Sequence, residues 1–315
     1  MSSGILPNDW KVRIICPVYK NNGKPRECSS YRPICLTSVV CKILEYIVHE
    51  QVISYLIGNN LLSRAQHGFL SKRSTATNLL ECLNDWTKII DAKGAADVVY
   101  VDLAKAFDTV SHVKLLHKLE LIGIGGDLMS WIRNFLCGRE QYVRVESELS
   151  SPCTVLSGIP QGTVLGPLFF LIYVDNLSDY IDNSKVLLYA DDSKIYSTIN
   201  SLEDCLKLSD DLHGLEQWVS DWQMSINVDK CEVLNLGNND FNFQYALDGK
   251  IIHRSVVCKD LGVNISNNLS FSFHCSKISR CANYRRRQFQ LAFACKHIEF
   301  QVFFVLYIHY AYLRE

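Results

Sequence analysis

Apolar runs that end on aspartates mark two places in the chain. Residues 186–190 (VLLYA) lead into Asp191 and Asp192, and a second short apolar run follows this pair. β-Branched and aromatic residues on both sides of a turn-prone centre predict a hairpin with the two aspartates at its tip. Upstream, residues 98–101 (VVYV) form another apolar run, which ends on Asp102.

The second run changes the interpretation of the first. A lone acidic turn is most often a solvated surface feature. Two buried strands that each end on aspartate can instead place their carboxylates side by side in one sheet. Hard oxygen ligands of this kind suit Mg²⁺, and a pair of Mg²⁺ ions suits phosphoryl transfer.

The rest of the chain mixes helix-like and strand-like periodicity. Alternation and short apolar runs predict strands at 10–19, 141–145, 153–156 and 261–265, and a turn followed by a strand within 222–236. Apolar residues at helical spacing predict helices at 38–57, 113–121, 128–136, 164–177 and 202–219, one that ends near residue 90, and a helical tail from residue 273.

Glycines recur at the start of the predicted helix 164–177. Gly158, Gly162 and Gly166 are four residues apart, but two prolines argue against one continuous helix through them. We therefore predict a backbone that passes close to a flat ligand, with the side chain of Gln161 in the same space.

Basic side chains cluster before two of the predicted helices. Lys20 and Lys24 lie on the polar loop 20–25, and Arg32 lies just beyond it. They form either an ordinary solvated turn or a set of cations over a triphosphate. Lys72 and Arg73 precede the second helix, where they either contact a template phosphate or simply begin a helix as exposed cations.

Composition indicates a globular chain with an uneven charge distribution. The 315 residues are 48% hydrophobic and 21% charged, which excludes a disordered chain and leaves room for two or more domains. The net charge of −1 combines +4 over 1–97, −10 over 98–270 and +5 over 271–315. An acidic centre between basic flanks fits a metal site bordered by surfaces that hold phosphates.

Cysteine usage and hydropathy bear on compartment and membrane. The 13 cysteines include no CxxC pair, which argues against a zinc site. Their odd number and the lack of a signal peptide predict a reduced, intracellular protein in the cytoplasm or nucleus. The apolar stretch 297–313 contains Glu299, Gln301 and His309 and is short for a span, so we predict a buried helix and no membrane partner.

Five motifs stand in the order of the reverse transcriptase motifs: VDLAKAFDTV, SGIPQGTVLGPLFF, YADD, INVDKCEVL and LGVNI. With SSYRPICLTSVVCKILE and QHGF…RST upstream, the chain resembles the reverse transcriptase of a non-LTR (LINE-type, jockey-like) retrotransposon over nearly its whole length. The resemblance implies an α+β, right-hand polymerase fold. Fingers would occupy 1–97, a palm with an antiparallel sheet 98–270, and the start of a helical thumb 271–315.

The resemblance also implies a role for each matching residue. Asp102, Asp191 and Asp192 would bind two Mg²⁺ or Mn²⁺ ions, and Lys230 would protonate pyrophosphate. Phe107 would exclude a ribose 2′-hydroxyl, so that deoxynucleotides are preferred. The remaining implied contacts are Arg32, Lys20, Lys24 and Gln161 with the incoming nucleotide, Leu261 and Gly262 with the primer, and Lys72, Arg73, Arg285 and Arg286 with nucleic acid.

RNA template, DNA primer and deoxynucleotides are the implied partners, and the oligomeric state stays open. The resemblance implies that a complete element of this type has a longer polypeptide, with an endonuclease before the polymerase and more of the thumb after it. One alternative is a decayed or domesticated remnant that binds RNA without polymerising. The other is a group II intron or retron-like reverse transcriptase, which the LINE-style sequence before Asp102 disfavours.

Overall fold

The computed structural model describes residues 6–21, 23–237 and 241–292. Its strands are β1 (Val12–Tyr19), β2 (Tyr31–Leu36), β3 (Ala96–Asp102), β4 (Glu140–Val145), β5 (Glu148–Leu149), β6 (Cys153–Thr154), β7 (Lys185–Tyr189), β8 (Asp192–Thr198), β9 (Glu232–Leu236), β10 (Ala246–Leu247), β11 (Lys250–Ile251), β12 (His253–Ser255), β13 (Val257–Asp260) and β14 (Val263–Ser266). Its helices are α1 (Asn8–Lys11), α2 (Val39–Gly58), α3 (Thr75–Asp91), α4 (Ala106–Thr109), α5 (His112–Leu121), α6 (Gly126–Leu136), α7 (Leu165–Val174), α8 (Leu202–Asp221) and α9 (Ser272–Ala292).

The central sheet carries both aspartate-bearing strands. Its order is β12-β9-β3-β8-β7, and β3 pairs antiparallel with both β8 and β9. β7 and β8 form the predicted hairpin, while β12 joins the edge in parallel to β9. The sheet is therefore antiparallel around the aspartates.

Both faces of β3 are covered, which explains its continuous apolar run. Val99 and Val101 face the larger core, which also contains buried residues of α2, α5, α6, α7 and α8. Val98 faces a second core with Trp86 of α3. A strand buried on both faces ends at the surface only where the sheet ends, and that is where Asp102 lies.

A second sheet joins the start of the chain to its middle. β1 pairs antiparallel with β2 and parallel with β4, and β4 also pairs with β5 and β6. The predicted pairing of 141–145 with 153–156 is confirmed over Gln141 and Cys153.

Several predicted elements differ from the structure; the strand predicted at 10–19, for example, begins at Val12, after α1. The helix predicted at 164–177 ends at Val174 and continues as a 3₁₀ helix, Asp175–Tyr180. The strand predicted at 261–265 begins at Val263, because Leu261 and Gly262 have φ of 44° and 91° and form the turn between β13 and β14. Positive φ at two successive residues suits a two-residue hairpin turn, not a strand.

The apolar stretch 297–313 lies outside the described residues. None of the helices that the structure describes is both long and apolar enough to cross a bilayer.

Candidate active site

The sheet places the three aspartates at one end of two neighbouring strands. Asp102, the last residue of β3, is paired directly with Asp192, the first residue of β8. Asp191 lies in the two-residue turn between β7 and β8, after Ala190, whose φ is 56°. Residues directly opposite each other in an antiparallel strand pair have Cβ atoms about 5 Å apart. The carboxylates of Asp102 and Asp192 therefore lie in one small region, and Asp191 adjoins them in the turn.

This concentration of negative charge alters the titration of two of the aspartates. Desolvation in the cleft, and next the charge of Asp102, raise the pKa of Asp191 above its ordinary value. Desolvation, followed by the charges of Asp191, Asp260 and Asp102, raises the pKa of Asp192 to about 6. Both side chains are exposed and so remain in contact with water.

The donor set fits a hard divalent cation. Carboxylate oxygens at the end of a sheet are the ligands that Mg²⁺ prefers. In the ranges that the structure describes, however, no three His, Cys, Asp or Glu side chains converge closely enough to hold an ion as they stand. Like charges directly opposite one another repel, so without a cation these carboxylates gain nothing by converging.

Lys230 lies at the same end of the sheet. Its Nζ is 3.4 Å from Oδ2 of Asp102, and its side chain is 67% exposed. The backbone N–H of Asn227 donates to the carbonyl of Asp102 (2.8 Å), which ties the segment before Lys230 to the end of β3. A cleft of about 150 Å³ is lined by Asp102, Asp192, Lys230 and the hairpin residue Leu261, among others.

Phe107 and Gln161 lie on neighbouring segments. Phe107, in α4, is half-buried, and its ring stacks on that of Phe170 with centroids 4.3 Å apart. Gln161 donates from Nε2 to Oδ1 of Asp108 (3.2 Å). Asp108 therefore acts as a hydrogen-bond acceptor; burial raises its pKa, against the effects of Gln161, Lys105 and Lys20.

The glycines before α7 have a reason other than the predicted ligand. Gly158 has a φ of 85°, and a Cβ there would lie 2.6 Å from the carbonyl oxygen of Asp108. Gly162 has a φ of 101°, and a Cβ there would lie 2.8 Å from the carbonyl oxygen of Cys35. The space that a side chain would need is occupied by protein backbone, so packing within the chain accounts for both glycines.

The basic residues of the first hairpin lie beside this loop. The backbone N–H of Cys35 in β2 donates to the carbonyl of Gln161 (2.8 Å), and Arg32 is an exposed residue of the same strand.

Lys20 donates from Nζ to the carbonyl of Ser29 (2.8 Å), and its charge acts on Asp108. Lys24 is further out, in an exposed ion pair with Glu27 at 3.6 Å.

The residues predicted to contact nucleic acid have varied surroundings. Lys72 is exposed, with a φ of 64°, whereas Arg73 donates from Nη1 to the carbonyls of Arg64 and Gln66 (2.5 Å each). A phosphate contact by Arg73, which stays a prediction, would use its other nitrogens.

Leu261 and Gly262 form the turn of the β13–β14 hairpin, and Arg285 and Arg286 are exposed on α9.

Sequence reasoning missed two features that contact the site. Gln66, in the QHGF segment, is fully buried and accepts from the backbone N–H of Ala190 (3.0 Å). Lys194, two residues after Asp192, forms a buried ion pair with Asp260, which precedes the hairpin turn. A buried glutamine has no sequence signal beyond the motif it belongs to, and a lysine within an apolar strand was the available hint of the second.

Comparisons with known proteins identify the fold and the family. The family described as reverse transcriptase (RNA-dependent DNA polymerase) matches residues 18–265. The apo telomerase of Candida tropicalis shares the fold with a TM-score of 0.56 at 12% identity, over 83% of this chain and 48% of the telomerase chain. The predicted α+β polymerase fold is confirmed.

Two curated relatives come from fly mobile elements. The RNA-directed DNA polymerase from mobile element jockey of Drosophila melanogaster is 27% identical over 286 residues, 88% of this chain and 31% of that protein. The probable RNA-directed DNA polymerase from transposon BS of the same species is 28% identical over 296 residues, 90% of this chain and 32% of that protein. The chain thus spans about a third of the length of these relatives. It belongs to the reverse transcriptase (RNA-dependent DNA polymerase) family, as the reverse transcriptase domain of a LINE-type, jockey-like element.

Proposed function

We propose that this chain copies an RNA template into DNA by adding deoxynucleotides to a primer 3′-hydroxyl, with two divalent ions at the aspartates. The observation that carries the proposal is the pairing of Asp102 with Asp192, with Asp191 in the adjoining turn. The raised pKa values of Asp191 and Asp192 support it, because desolvation and then neighbouring carboxylates disfavour the ionised side chains, which a bound cation would stabilise.

The carboxylates are the proposed metal ligands. Divalent ions bound there supply activation of the primer hydroxyl and neutralisation of charge on the triphosphate and the leaving pyrophosphate. Asp102 and Asp191 contribute most in this proposal. Asp192 contributes less, as the resemblance to the reverse transcriptase motifs implies for the second aspartate of YADD.

Three other residues act on the nucleotide in this proposal. The Phe107 ring, held by its stack on Phe170, occupies the space of a 2′-hydroxyl and so excludes ribonucleotides. Gln161, whose amide is oriented by Asp108, lies beside the incoming base and sugar. Lys230 leaves Asp102 when the nucleotide binds, and its ammonium donates a proton to pyrophosphate.

Primer and template are the proposed macromolecular partners. One telomerase of the same fold, with a TM-score of 0.55, is described in complex with a fragment of telomeric RNA. In this chain, the exposed Arg285 and Arg286 on α9 and the Leu261–Gly262 turn would contact the duplex. Phosphate contacts of this kind weaken as salt rises.

Primer extension on a primed RNA template in Mg²⁺ tests the proposal. Asp102→Asn and Asp191→Asn should abolish extension, because each removes a ligand charge. Asp210→Asn is the matched control, since it removes one charge from an exposed position of α8, and it should extend as the wild type does. A wild-type chain that binds the primed RNA but extends nothing would refute the proposal and favour an RNA-binding remnant.

A further inference from the structure

We propose that Gln66 is a positioning residue for metal binding, because it holds the backbone of the turn between β7 and β8 that carries Asp191. Gln66 does not touch the aspartate carboxylates; it acts through the backbone that carries Asp191. The inference rests on the proposed function. It assigns a role to a buried amide side chain that is uncharged and has no catalytic chemistry of its own.

Residues 65–68 form an added edge beside β7. The N–H of Leu188 donates to the carbonyl of Ala65 (2.9 Å), and the N–H of His67 donates to the carbonyl of Leu188 (2.8 Å). Gln66 and Leu188 thereby form a parallel bridge. The side chain of Asn78, from α3, donates to the same Leu188 carbonyl at 3.1 Å. The strand that leads into the catalytic turn is thus fixed from two sides.

The Gln66 side chain extends this support into the turn itself. Its Oε1 accepts from the N–H of Ala190 (3.0 Å) and from the N–H of Gly68 (2.7 Å). Both partners are backbone donors, so the atom between them must be the carbonyl oxygen and the orientation of the amide is determined. Gln66 is fully buried, so water cannot replace this acceptor.

The turn needs such support. Ala190 has a φ of 56°, in the left-handed region that residues with a Cβ disfavour. Gly68 lies against it so closely that a Cβ would come within 2.5 Å of the Ala190 nitrogen. Glycine at 68 and glutamine at 66 therefore act together: one permits the approach, and the other uses it to hold the Ala190 N–H.

The Gln66 amide is used on one side. Its Nε2 is buried and has no hydrogen-bond partner among the described residues. The acceptor is therefore the part of the amide that the turn requires, and a side chain of the same shape with an acceptor at that place should serve. Gln66→Glu, which burial keeps protonated and neutral, keeps the acceptor, whereas Gln66→Met keeps the shape and loses it.

Mn²⁺ binding to the protein without nucleic acid, measured by electron paramagnetic resonance, tests the inference. We expect Gln66→Met to weaken Mn²⁺ binding about tenfold and to raise the Mg²⁺ concentration for half-maximal extension by a similar factor, while Gln66→Glu binds Mn²⁺ within about threefold of the wild type. Val52→Ala, in the core of α2, is the control for lost stability and should leave the Mn²⁺ dissociation constant unchanged.

The outcomes separate this inference from the proposed function. If the wild type extends primers and Gln66→Met binds Mn²⁺ as tightly as the wild type, the inference is overturned while the proposed function stands. An equal loss in Val52→Ala and Gln66→Met overturns it as well, because the effect would then follow global stability. A wild type that binds no Mn²⁺ overturns both.

Discussion

Replacing Asp192 by asparagine should stabilise the metal-free protein. In the wild type, the Asp192 carboxylate lies opposite Asp102 and next to Asp191, and desolvation, followed by the charges of Asp191, Asp260 and Asp102, raises its pKa. Asparagine has nearly the same shape and no charge. The substitution should therefore remove repulsion without leaving a cavity.

The size of the gain can be worked out from the pKa. The difference between about 6 in the folded protein and the ordinary value of 3.8 corresponds to about 3 kcal/mol at 1.36 kcal/mol per pH unit. Because Asp192 is exposed and water screens its charge, we reduce this to about 1 kcal/mol.

The gain should depend on pH in a defined direction. A folded-state pKa above the unfolded one means that ionisation of Asp192 lowers stability, fully above about pH 6 and not at all below about pH 4. The advantage of Asp192→Asn should therefore be complete at pH 7.5. It should fade as the pH falls from about 6 to 4, because the wild-type carboxyl becomes neutral.

Urea denaturation in a metal chelator, at pH 7.5 and at pH 5, measures the free energy of unfolding of both proteins. Asp210→Asn is the control for a change in net charge, since Asp210 is exposed on α8 and away from the cluster. With Mg²⁺ present, the wild type should gain more stability than the variant, because bound ligand stabilises the folded state. A variant that is less stable than the wild type at pH 7.5 would refute the reasoning.

Three further predictions concern other parts of the molecule. Phe107→Val should raise the ratio of ribonucleotide to deoxynucleotide incorporation, because the pocket gains room; an unchanged ratio would make Phe107 a packing residue. Lys194→Met should lower the free energy of unfolding by about 3–5 kcal/mol, because it leaves the Asp260 carboxylate buried without its partner. Urea denaturation of the double variant Lys194→Met/Asp260→Asn should show that much of the lost stability is restored. Replacing Arg285 and Arg286 by alanine should weaken binding to primed RNA and reduce its salt dependence by about two phosphate contacts in a salt titration; an unchanged salt slope would place both outside the interface.

The sequence was sufficient where its pattern and its chemistry agreed. Asp102 follows a run that is apolar because β3 is covered on both faces, and the hairpin 185–198 has strand-forming residues on both sides of its turn. Local composition therefore determined which residues end each strand. The pairing of Asp102 with Asp192 follows once β3 and β8 are neighbours, because the register then has little freedom.

Other features depend on contacts that are distant in sequence. The reason for Gly158 and Gly162 is the position of the Asp108 and Cys35 carbonyls, which no local pattern records. The strand predicted at 261–265 began two residues late because Leu261 adopts a positive φ, which few residues other than glycine do. Gln66 was missed for the same reason: its partner, Ala190, is 124 residues away.

The buried pair of Lys194 and Asp260 explains how the cleft is held together. Lys194 lies two residues beyond Asp192, on the same side of β8, and Asp260 immediately precedes the Leu261–Gly262 turn. The hydroxyl of Tyr100, in β3, also donates to Asp260 (3.3 Å), so both aspartate-bearing strands contact the base of the hairpin. A shift of this hairpin would have to break charged contacts in a buried environment, where an unpaired charge is strongly unfavourable. The turn that we propose to contact the primer is thus fixed relative to the carboxylates by the same strands that position them.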